Sequence, residues 1–253
     1  MTDTSPVETT ERPVVSNEPN PKWVRGRVGD VTVVDTRDAR YVWEFRFYPQ
    51  WYIPVDAVAG ELRPTGRTSA HELLGTGTHL DLVLADGTVR SDAAMAWDHP
   101  DLLGRVRFQW DALDQWFEEE VEVFVHPRSP YTRVDVLPSA RHVVVRVDGE
   151  IVADSRRAHI LYETGLPPRY YLPPEDVRTD LLTESDSETA CPYKGVARYW
   201  NVTVGDTVHE DLVWGYDAPL PESTLVIGLM CFYNERIDLE IDGEAIERVK
   251  PIR

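Results

Sequence analysis

The second half of the chain repeats the first half, and this repeat limits the possible folds more than any other feature of the sequence. Segment 35–39 aligns with segment 154–158, and segment 49–54 aligns with 168–173, at one common offset and without a gap. The repeated unit is far longer than the roughly 20 to 50 residues of a solenoid repeat, and it has the length of a small domain. The sequence therefore predicts two tandem copies of one domain.

Two further alignments extend the repeat towards the end of each copy. Trp97 aligns with Trp214, and segment 121–125 aligns with segment 237–241, at slightly smaller offsets that short insertions explain. Since the linker between the copies is short, we also expect the two domains to pair within the chain, with pseudo-twofold symmetry.

Composition and turn signals place the domain boundaries. Residues 1–21 are rich in Thr, Glu and Pro and lack an apolar core, which predicts a disordered tail and not a secretory signal. The first domain is expected at residues 22–137 and the second at 138–253. The boundary near Leu137 follows the turn-like segment 126–130.

Charge and cysteine usage limit the partners and the compartment. The chain has 44 acidic and 26 basic residues, and its formal net charge of −18 repels the phosphates of nucleic acids and of anionic membranes. Its two cysteines form no Cys-x-x-Cys pair, so neither a disulfide framework nor a zinc ribbon is predicted. No apolar run approaches the roughly 20 residues that span a bilayer. We therefore expect a cytoplasmic protein without a nucleic-acid partner, a membrane partner, a metal site or a cofactor.

Turn signals between β-branched runs predict a mainly β fold. Asp148-Gly149 divides two such runs in the second copy, and Asp86-Gly87 does so in the first, as expected of hairpin turns. Helical periodicity is scarce. Only segment 173–177, which begins with two prolines followed by two acids, predicts a short helical turn. Each copy is therefore predicted to be a meandering sheet with minor helix.

The second copy carries a series of short motifs in a fixed order. They are Val152–Arg156, Glu163–Pro167, Tyr170–Pro173, Cys191–Gly195, Trp214, Tyr216, Phe232–Glu235 and Asp242–Gly243. Together they resemble the bacterial domain-of-unknown-function 427 (DUF427) family. The resemblance extends from Gly29 to Gly243 in two copies, with a degenerate motif in the first copy and the full motif in the second.

The resemblance implies a β-tent-like (Mss4-like) fold for each domain, similar to methionine sulfoxide reductase B and related zinc-ribbon proteins. The cysteine pairs that bind zinc in those relatives are absent, so we expect the fold without a zinc ribbon. The family is sometimes labelled nucleotidyltransferase, which makes that activity an alternative. The residues give this label no support, because Asp238, Glu240 and Asp242 lie on the solvent face of one strand, opposite a row of apolar residues.

Segment 191–195, Cys-Pro-Tyr-Lys-Gly, is the most function-like part of the sequence. A cation beside a thiol favours the reactive thiolate, so Cys191 and Lys194 are candidate catalytic residues. The alternative is a cysteine buried for packing, beside a lysine that pairs with Glu163. Lys194 is one of only three lysines in the chain, which favours a role for a compact ammonium group. The first copy has no equivalent of the segment, so a site is expected in the second domain.

Aromatic and charged side chains complete the candidate site. The predicted ligand-binding residues are Tyr170, Tyr171, Tyr193, Lys194, Trp214 and Tyr233. Such a set lines an apolar pocket with a polar rim, or equally fills the core of a small β domain. Arg156 and Glu163 recur in the first copy as Arg37 and Glu44, which predicts a structural ion pair that holds a loop to the sheet.

Three functions remain open from the sequence. The leading hypothesis is a protein that binds a small polar or aromatic ligand in its second domain. The alternatives are an enzyme of a nucleotidyltransferase-like or other transferase type, and a structural or protein-interaction module. No serine lies in a nucleophile-elbow setting, no two histidines have metal-ligand spacing, and no phosphate loop is present. The sequence therefore predicts neither a serine triad nor a metal hydrolase.

Overall fold

The structure is a computed structural model, and it describes residues 16–45 and 47–248. It divides into two compact units, Met1–Ser129 and Pro130–Arg253. Each unit contains one seven-stranded and one four-stranded antiparallel sheet, and the helices are short 3₁₀ turns. The predicted mainly β class with minor helix is therefore confirmed. Within the described residues, no helix is both long and apolar enough to cross a membrane.

The described part of the first unit consists of eleven strands and three 3₁₀ helices. The strands are β1 (Asn17–Pro19), β2 (Val24–Val28), β3 (Val31–Thr36), β4 (Arg40–Val42), β5 (Gln50–Pro54), β6 (Glu61–His71), β7 (Gly75–Val83), β8 (Val89–Trp97), β9 (Arg105–Phe108), β10 (Gln115–Glu118) and β11 (Val121–Val123). The helices are Val55–Ala57, Pro100–Leu102 and Trp110–Ala112. The large sheet has the order β1-β4-β5-β9-β8-β7-β6, and the small sheet has the order β11-β10-β2-β3.

The described part of the second unit also consists of eleven strands and three 3₁₀ helices. Its strands are β12 (Val134–Ser139), β13 (Val143–Val147), β14 (Glu150–Ser155), β15 (Ala158–Glu163), β16 (Arg169–Leu172), β17 (Leu182–Cys191), β18 (Gly195–Val204), β19 (Thr207–Gly215), β20 (Met230–Phe232), β21 (Asp238–Ile241) and β22 (Glu244–Ile246). Its helices are Pro174–Asp176, Thr179–Leu181 and Pro221–Val226. The sheet orders are β12-β15-β16-β20-β19-β18-β17 and β14-β13-β21-β22. The two units therefore agree strand for strand.

Side-chain alternation explains why each large sheet has two apolar faces. Successive side chains of a strand point to opposite faces. In β5, Trp51 and Ile53 join a core that also contains Val33 and Trp116 of the small sheet. We call this shared cluster the inner core, and the opposite side of the large sheet the outer face. Tyr52, which lies between the two inner-core residues, belongs to a separate cluster on the outer face.

The second unit repeats this division. Leu172 of β16 packs into its inner core with Val145 and Leu239 of the small sheet. Tyr171, one residue earlier, belongs to an outer-face cluster with Trp214. Burial of each large apolar side chain contributes about 1.5–3 kcal/mol. A register slip of one residue exchanges the two faces, so this alternation specifies the strand register.

The predicted turns are confirmed. Asp148 and Gly149 have φ angles of 50° and 84°, and they connect β13 to β14 as a two-residue hairpin turn whose positive φ angles match the twist of the strands. Asp86-Gly87 lies between β7 and β8, where the Gly87 N–H donates to the Leu84 carbonyl at 3.0 Å. The helical turn predicted at 173–177 is the 3₁₀ helix Pro174–Asp176.

Two strands change the expected boundaries. Residues 17–19 fall in the expected tail, but they form β1, which pairs with β4. Residues 1–15 of that tail lie outside the described residues. β12 pairs over its whole length with β15. The strand that contains Leu137 therefore belongs to the second unit, and the units divide between Ser129 and Pro130 instead.

The strand pairing also corrects two alignments of the repeat. Met95 of β8 and Trp214 of β19 are the positions that face β9 and β20, respectively, in the same register, so Trp214 matches Met95 and not Trp97. β21 pairs with β13 as β10 pairs with β2. Segment 237–241 therefore matches β10 and not segment 121–125. Several short alternating strands resemble one another, and only their pairing distinguishes them.

Candidate functional site

The outer face of the large sheet in the second unit collects most of the predicted site residues. Its buried cluster contains Tyr171, Tyr199, Trp214, Tyr216 and Cys231, which come from four neighbouring strands or their ends. Val213, next to Trp214, points to the inner core instead. Alternation therefore gathers on one face polar aromatic groups that are far apart in sequence.

A buried ion pair lies at one edge of this outer face. Lys194, in the turn between β17 and β18, binds the carboxylate of Glu163 at the end of β15, and the two side chains are only 13% and 9% exposed. Burial opposes the charged form of Lys194, but the nearby Cys191 and Glu163 outweigh burial and raise the pKa of the lysine. The ammonium is therefore charged, and its main partner is inside the protein.

Aromatic residues form the centre of the outer face. The Trp214 Nε1–H donates to the Tyr171 hydroxyl at 3.1 Å, and burial raises the pKa of Tyr171 well above its usual value. The Tyr233 ring lies 4.5 Å from the Trp214 ring, centroid to centroid. Arg169 lies over Trp214 at 5.6 Å and binds both carboxylate oxygens of Glu235, at 2.6 and 2.8 Å. The ring contact with Trp214 therefore helps to position Tyr233.

A cavity of about 340 Å³ lies beside this aromatic centre. It is lined by Ser187, Glu188, Thr189, Tyr199, Asp211, Tyr233 and Arg236. The Tyr199 hydroxyl is 2.7 Å from Thr189 Oγ1 and 3.4 Å from the Tyr233 hydroxyl. The volume is at the lower end of the range of about 300–1,000 Å³ for small-molecule sites. The cavity therefore combines a row of hydroxyl groups with two aromatic rings.

Asp211 enters the cavity wall because β19 contains a bulge. The pairing of β18 with β19 shifts after Trp200, and Asp211 has a φ angle of 50°. Bulges re-aim side chains in this way. Its Oδ2 accepts from the Ser187 hydroxyl at 2.7 Å, and the Ser185 and Ser187 hydroxyls hold the pKa of Asp211 below its usual range. Its Oδ1 is buried and has no hydrogen-bond partner among the described residues.

The family of the chain follows from comparison with known proteins. A family model described as a domain of unknown function (DUF427) matches residues 16–119 and matches again at residues 135–243. One match falls in each compact unit, and together they cover most of the chain. The chain belongs to the DUF427 family. The tandem DUF427 organisation predicted from the motifs is therefore confirmed. A search of curated proteins found no match.

The two cysteines of the second DUF427 domain have different environments. Both are free. Cys231 is fully buried, and burial raises the pKa of its thiol well above the usual value, which keeps it neutral and inert. Cys191 is partly exposed and lies beside the Lys194 ammonium. Within residues 16–45 and 47–248, no group of three or more His, Cys, Asp and Glu side chains is arranged to hold a metal ion.

The predicted ligand-binding residues divide into three groups in this DUF427 domain. Tyr233 lines the cavity. Tyr171 and Trp214 lie behind it in the buried outer-face cluster, and Tyr193, next to Lys194, is buried as well. Tyr170 does not join them, because it alternates with Tyr171 and packs against the inner core.

The predicted ion pair of Arg156 and Glu163 is replaced by a different one. Glu163 binds Lys194, whereas Arg156 lies exposed in the turn between β14 and β15. The first DUF427 domain behaves in the same way, since Glu44 binds Arg107 at 3.1 Å. The repeated acid is therefore structural in both copies, but the repeated arginine is not its partner.

Several cavity residues were not identified from the sequence. They are Ser187, Glu188, Thr189, Asp211 and Arg236. The polar residues of β17 are typical of a solvated edge strand, so the sequence does not indicate that this strand lines a cavity. One signal was available: Asp211 interrupts a strand that continues with Leu212 and Val213, and Asp92 occupies the equivalent position in the first copy. A repeated acid in a strand interior indicates a special backbone position.

Proposed function

We propose that the second DUF427 domain binds a small ligand that carries hydrogen-bond donors and an aromatic or other planar surface, in the cavity beside Tyr233. The observation that carries the proposal is the lining of the cavity, where the hydroxyl groups of Thr189, Tyr199 and Tyr233 form a row in a wall that also contains the Asp211 carboxylate. A hydroxyl or amine group of a ligand can donate to these oxygens.

The hydroxyl groups of the cavity support a polar ligand. Thr189, Tyr199 and Tyr233 place their oxygens in a hydrogen-bonded row, and each hydroxyl both donates and accepts. The tyrosine rings offer faces for a planar group, and aromatic contacts of this kind are worth about 0.5–1.5 kcal/mol beyond the area that they bury. The lining therefore suits a ligand with both polar and planar parts.

The charges of the cavity favour a neutral or cationic ligand. Glu188 and Asp211 contribute two carboxylates, whereas Arg236 is the cation of the lining and donates to the Glu210 carbonyl at 2.8 Å. The whole chain has a net charge of −18, and such a field disfavours anions. A nucleotide would bring its phosphates close to both carboxylates. The cavity therefore supports ligand binding better than it supports nucleotidyl transfer.

The predicted site residues have a supporting role in this proposal. Trp214 holds Tyr233 by ring contact and is itself held by Tyr171. Lys194 and Cys191 lie at the edge of the same outer face, where the lysine charge is matched by Glu163. We therefore assign ligand contact to Tyr233, Tyr199 and Asp211, and positioning to the residues behind them.

Thermal-shift and calorimetric titrations with three probes test the proposal. The probes are tyramine as an aromatic amine, glucose as a polyol, and ATP with magnesium as a nucleotide. A ligand at about 100 times its dissociation constant adds about 2.7 kcal/mol to the free energy of unfolding. We expect tyramine to stabilise the chain, and we expect Asp211→Asn and Tyr233→Phe each to weaken its binding at least tenfold.

The matched control is Asp206→Asn, which removes an exposed acid from the turn between β18 and β19 and leaves tyramine affinity unchanged. Binding that is equally weakened by the Asp206 and Asp211 variants reflects general charge and contradicts the proposal. Stabilisation by ATP with magnesium alone favours the transferase alternative. If none of the probes binds, the ligand proposal fails and the protein-interaction alternative remains.

A further inference from the structure

Three side chains of the first DUF427 domain form a hydrogen-bonded chain on the outer face of its large sheet. Ser69 Oγ lies 2.7 Å from His79 Nε2, and His79 Nδ1 lies 2.6 Å from Asp92 Oδ1. The residues come from β6, β7 and β8, which are neighbours in the sheet. The arrangement brings together a hydroxyl, an imidazole and a carboxylate in the order that nucleophilic catalysis by serine requires.

The tautomer of a neutral His79 ring follows from its hydrogen-bond partners. The hydrogen bond with His79 holds the pKa of Asp92 below its usual range, so Asp92 is an anion at neutral pH. A carboxylate only accepts hydrogen bonds, and Nδ1 therefore carries the proton. In the neutral form of the ring the lone pair is then on Nε2, which can accept from the Ser69 hydroxyl 2.7 Å away. This is the tautomer that removes a proton from a serine nucleophile.

The backbone holds Asp92 in a special position. Asp92 has a φ angle of 52°, at a bulge where the pairing of β7 with β8 shifts after Leu80. Its N–H donates to Asp81 Oδ1 at 2.7 Å, and Arg67 binds its Oδ2 at 3.0 Å. A non-glycine residue in this region costs about 1–3 kcal/mol. Surrounding contacts offset this cost, and they aim the carboxylate at His79.

His79 is buried, whereas Ser69 is partly exposed. The His79 side chain is 7% exposed, so its orientation is fixed. Ser69 is only partly buried, and its neighbours Thr68 and Ala70 are exposed. His71, two residues along the same face of β6, packs against Trp97 with ring centroids 5.7 Å apart. The His71 and Trp97 rings therefore lie on the same face of the sheet as the partly exposed Ser69.

The second DUF427 domain lacks the base at this position. Thr189 takes the place of Ser69, Tyr199 the place of His79 and Asp211 the place of Asp92, and the Thr189 and Tyr199 hydroxyls are 2.7 Å apart. A phenol replaces the imidazole, so the proton acceptor next to the alcohol is lost. The two copies therefore share the bulge and its acid but differ in the chemistry that they support.

We propose that the first DUF427 domain is an esterase site for small esters with apolar or planar groups, with Ser69 as the nucleophile, His79 as the general base and Asp92 as the residue that orients the imidazole. This activity goes beyond ligand binding in the second domain and does not depend on it. The substrate class follows from the partial exposure of Ser69 and from the His71 and Trp97 rings on the same face.

The proposed reaction has two steps. Ser69 Oγ attacks the ester carbonyl carbon while its proton passes to His79 Nε2. The bond between the carbonyl carbon and the alcohol oxygen then breaks, and the departing alcohol takes the proton from Nε2. In the second step water attacks the acyl-serine with His79 as the base, which releases the carboxylic acid and restores Ser69.

A fluorophosphonate probe and p-nitrophenyl acetate test the proposal on the full chain. The probe phosphorus bonds to Ser69 Oγ, fluoride leaves, and the serine proton passes through His79 to water. We expect one label per chain, mapped to Ser69 by peptide mass spectrometry, and no label in Ser69→Ala. General-base catalysis contributes about 10²–10⁴-fold, so His79→Gln and Asp92→Asn should each slow labelling and ester hydrolysis at least 100-fold.

Thr68→Ala is the matched control, because Thr68 is exposed on the same strand and points away from His79. It should label and hydrolyse at the rate of the unchanged protein. Far-UV circular dichroism checks that each variant is folded, and two independent variants, His79→Gln and Asp92→Asn, test the same base. Labelling of the native chain that is no faster than labelling of the urea-unfolded chain overturns the proposal. So does a label on another residue, or a rate that folded His79→Gln leaves unchanged.

Discussion

Glu163 and Lys194 form a buried ion pair that joins the end of β15 to the turn between β17 and β18. The first domain matches the equivalent acid, Glu44, with Arg107 of β9. There Leu74, which precedes the glycine that opens β7, occupies the position of Lys194 and is fully buried. Both domains therefore neutralise the same acid, one with a lysine from a turn and the other with an arginine from a strand, which explains why segment 191–195 has no counterpart in the first copy.

Removal of the lysine alone should strongly destabilise the second domain. Lys194→Met leaves the Glu163 carboxylate buried without its partner, and loss of one member of a buried pair costs about 3–5 kcal/mol. Urea unfolding followed by tryptophan fluorescence measures the loss. The double variant Lys194→Met with Glu163→Gln should recover most of the stability, since it leaves no buried charge. Equal stability of the single and double variants would show that the carboxylate is hydrated and not buried.

The pair of Arg169 and Glu235 should stabilise the fold at neutral pH and lose this effect at acidic pH. The hydrogen bond from Arg169 lowers the folded-state pKa of Glu235 below its usual range. A lowered carboxyl pKa stabilises the fold fully above the unfolded pKa, and this contribution disappears as the pH falls through the folded pKa. Glu235→Gln should therefore melt below the unchanged protein at pH 7, and the gap should close towards pH 3. The exposed Glu247→Gln should show no such convergence.

Alkylation should distinguish the two cysteines. Cys191 is partly exposed, whereas Cys231 is buried, so iodoacetamide should modify the native chain at Cys191 only. The urea-unfolded chain should take up two equivalents, and native Cys191→Ser should take up none. Mass spectrometry of the modified peptides gives the counts. Resistance of native Cys191 would exclude an exposed thiolate, and with it the hypothesis that Cys191 is a nucleophile.

The two inner cores differ in the side-chain sizes at one pair of facing positions. Trp116 of β10 faces Gly26 of β2, whereas Leu239 of β21 faces Val145 of β13. A Cβ atom on Gly26 would contact Leu113 and would lie 2.9 Å from the Trp116 ring. The first copy thus combines a glycine with a large residue, and the second combines two residues of medium size.

Gly26→Val should therefore destabilise the first domain by about 1–3 kcal/mol, because it overpacks a full core. The double variant Gly26→Val with Trp116→Leu reproduces the pair of the second copy, and it should be more stable than Gly26→Val alone. Thermal unfolding of the four proteins in this mutant cycle measures the coupling. Additive effects of the two substitutions would contradict direct packing between these positions.

Much of the architecture could be predicted from local signals in the sequence. Turn residues such as Asp148-Gly149 require positive φ angles at both positions, and their chemistry is readable without tertiary contacts. The repeat is readable because it preserves the order of residues. The alignment failed near the end of each copy, where segment 121–125 and β10 show the same alternation, and only hydrogen-bond pairing tells one such strand from another.

The sequence by itself determined the duplication and the mainly β class, and it identified segment 191–195 as a candidate functional segment. These conclusions depend on the order of residues and on local backbone preferences. Only the tertiary structure decided which groups meet. It pairs Lys194 with Glu163 in a salt bridge, and it brings Ser69, His79 and Asp92 into one hydrogen-bonded chain across three strands. Antiparallel pairing sets such contacts, and the bulge that turns Asp92 towards His79 is a backbone irregularity that side-chain periodicity cannot reveal.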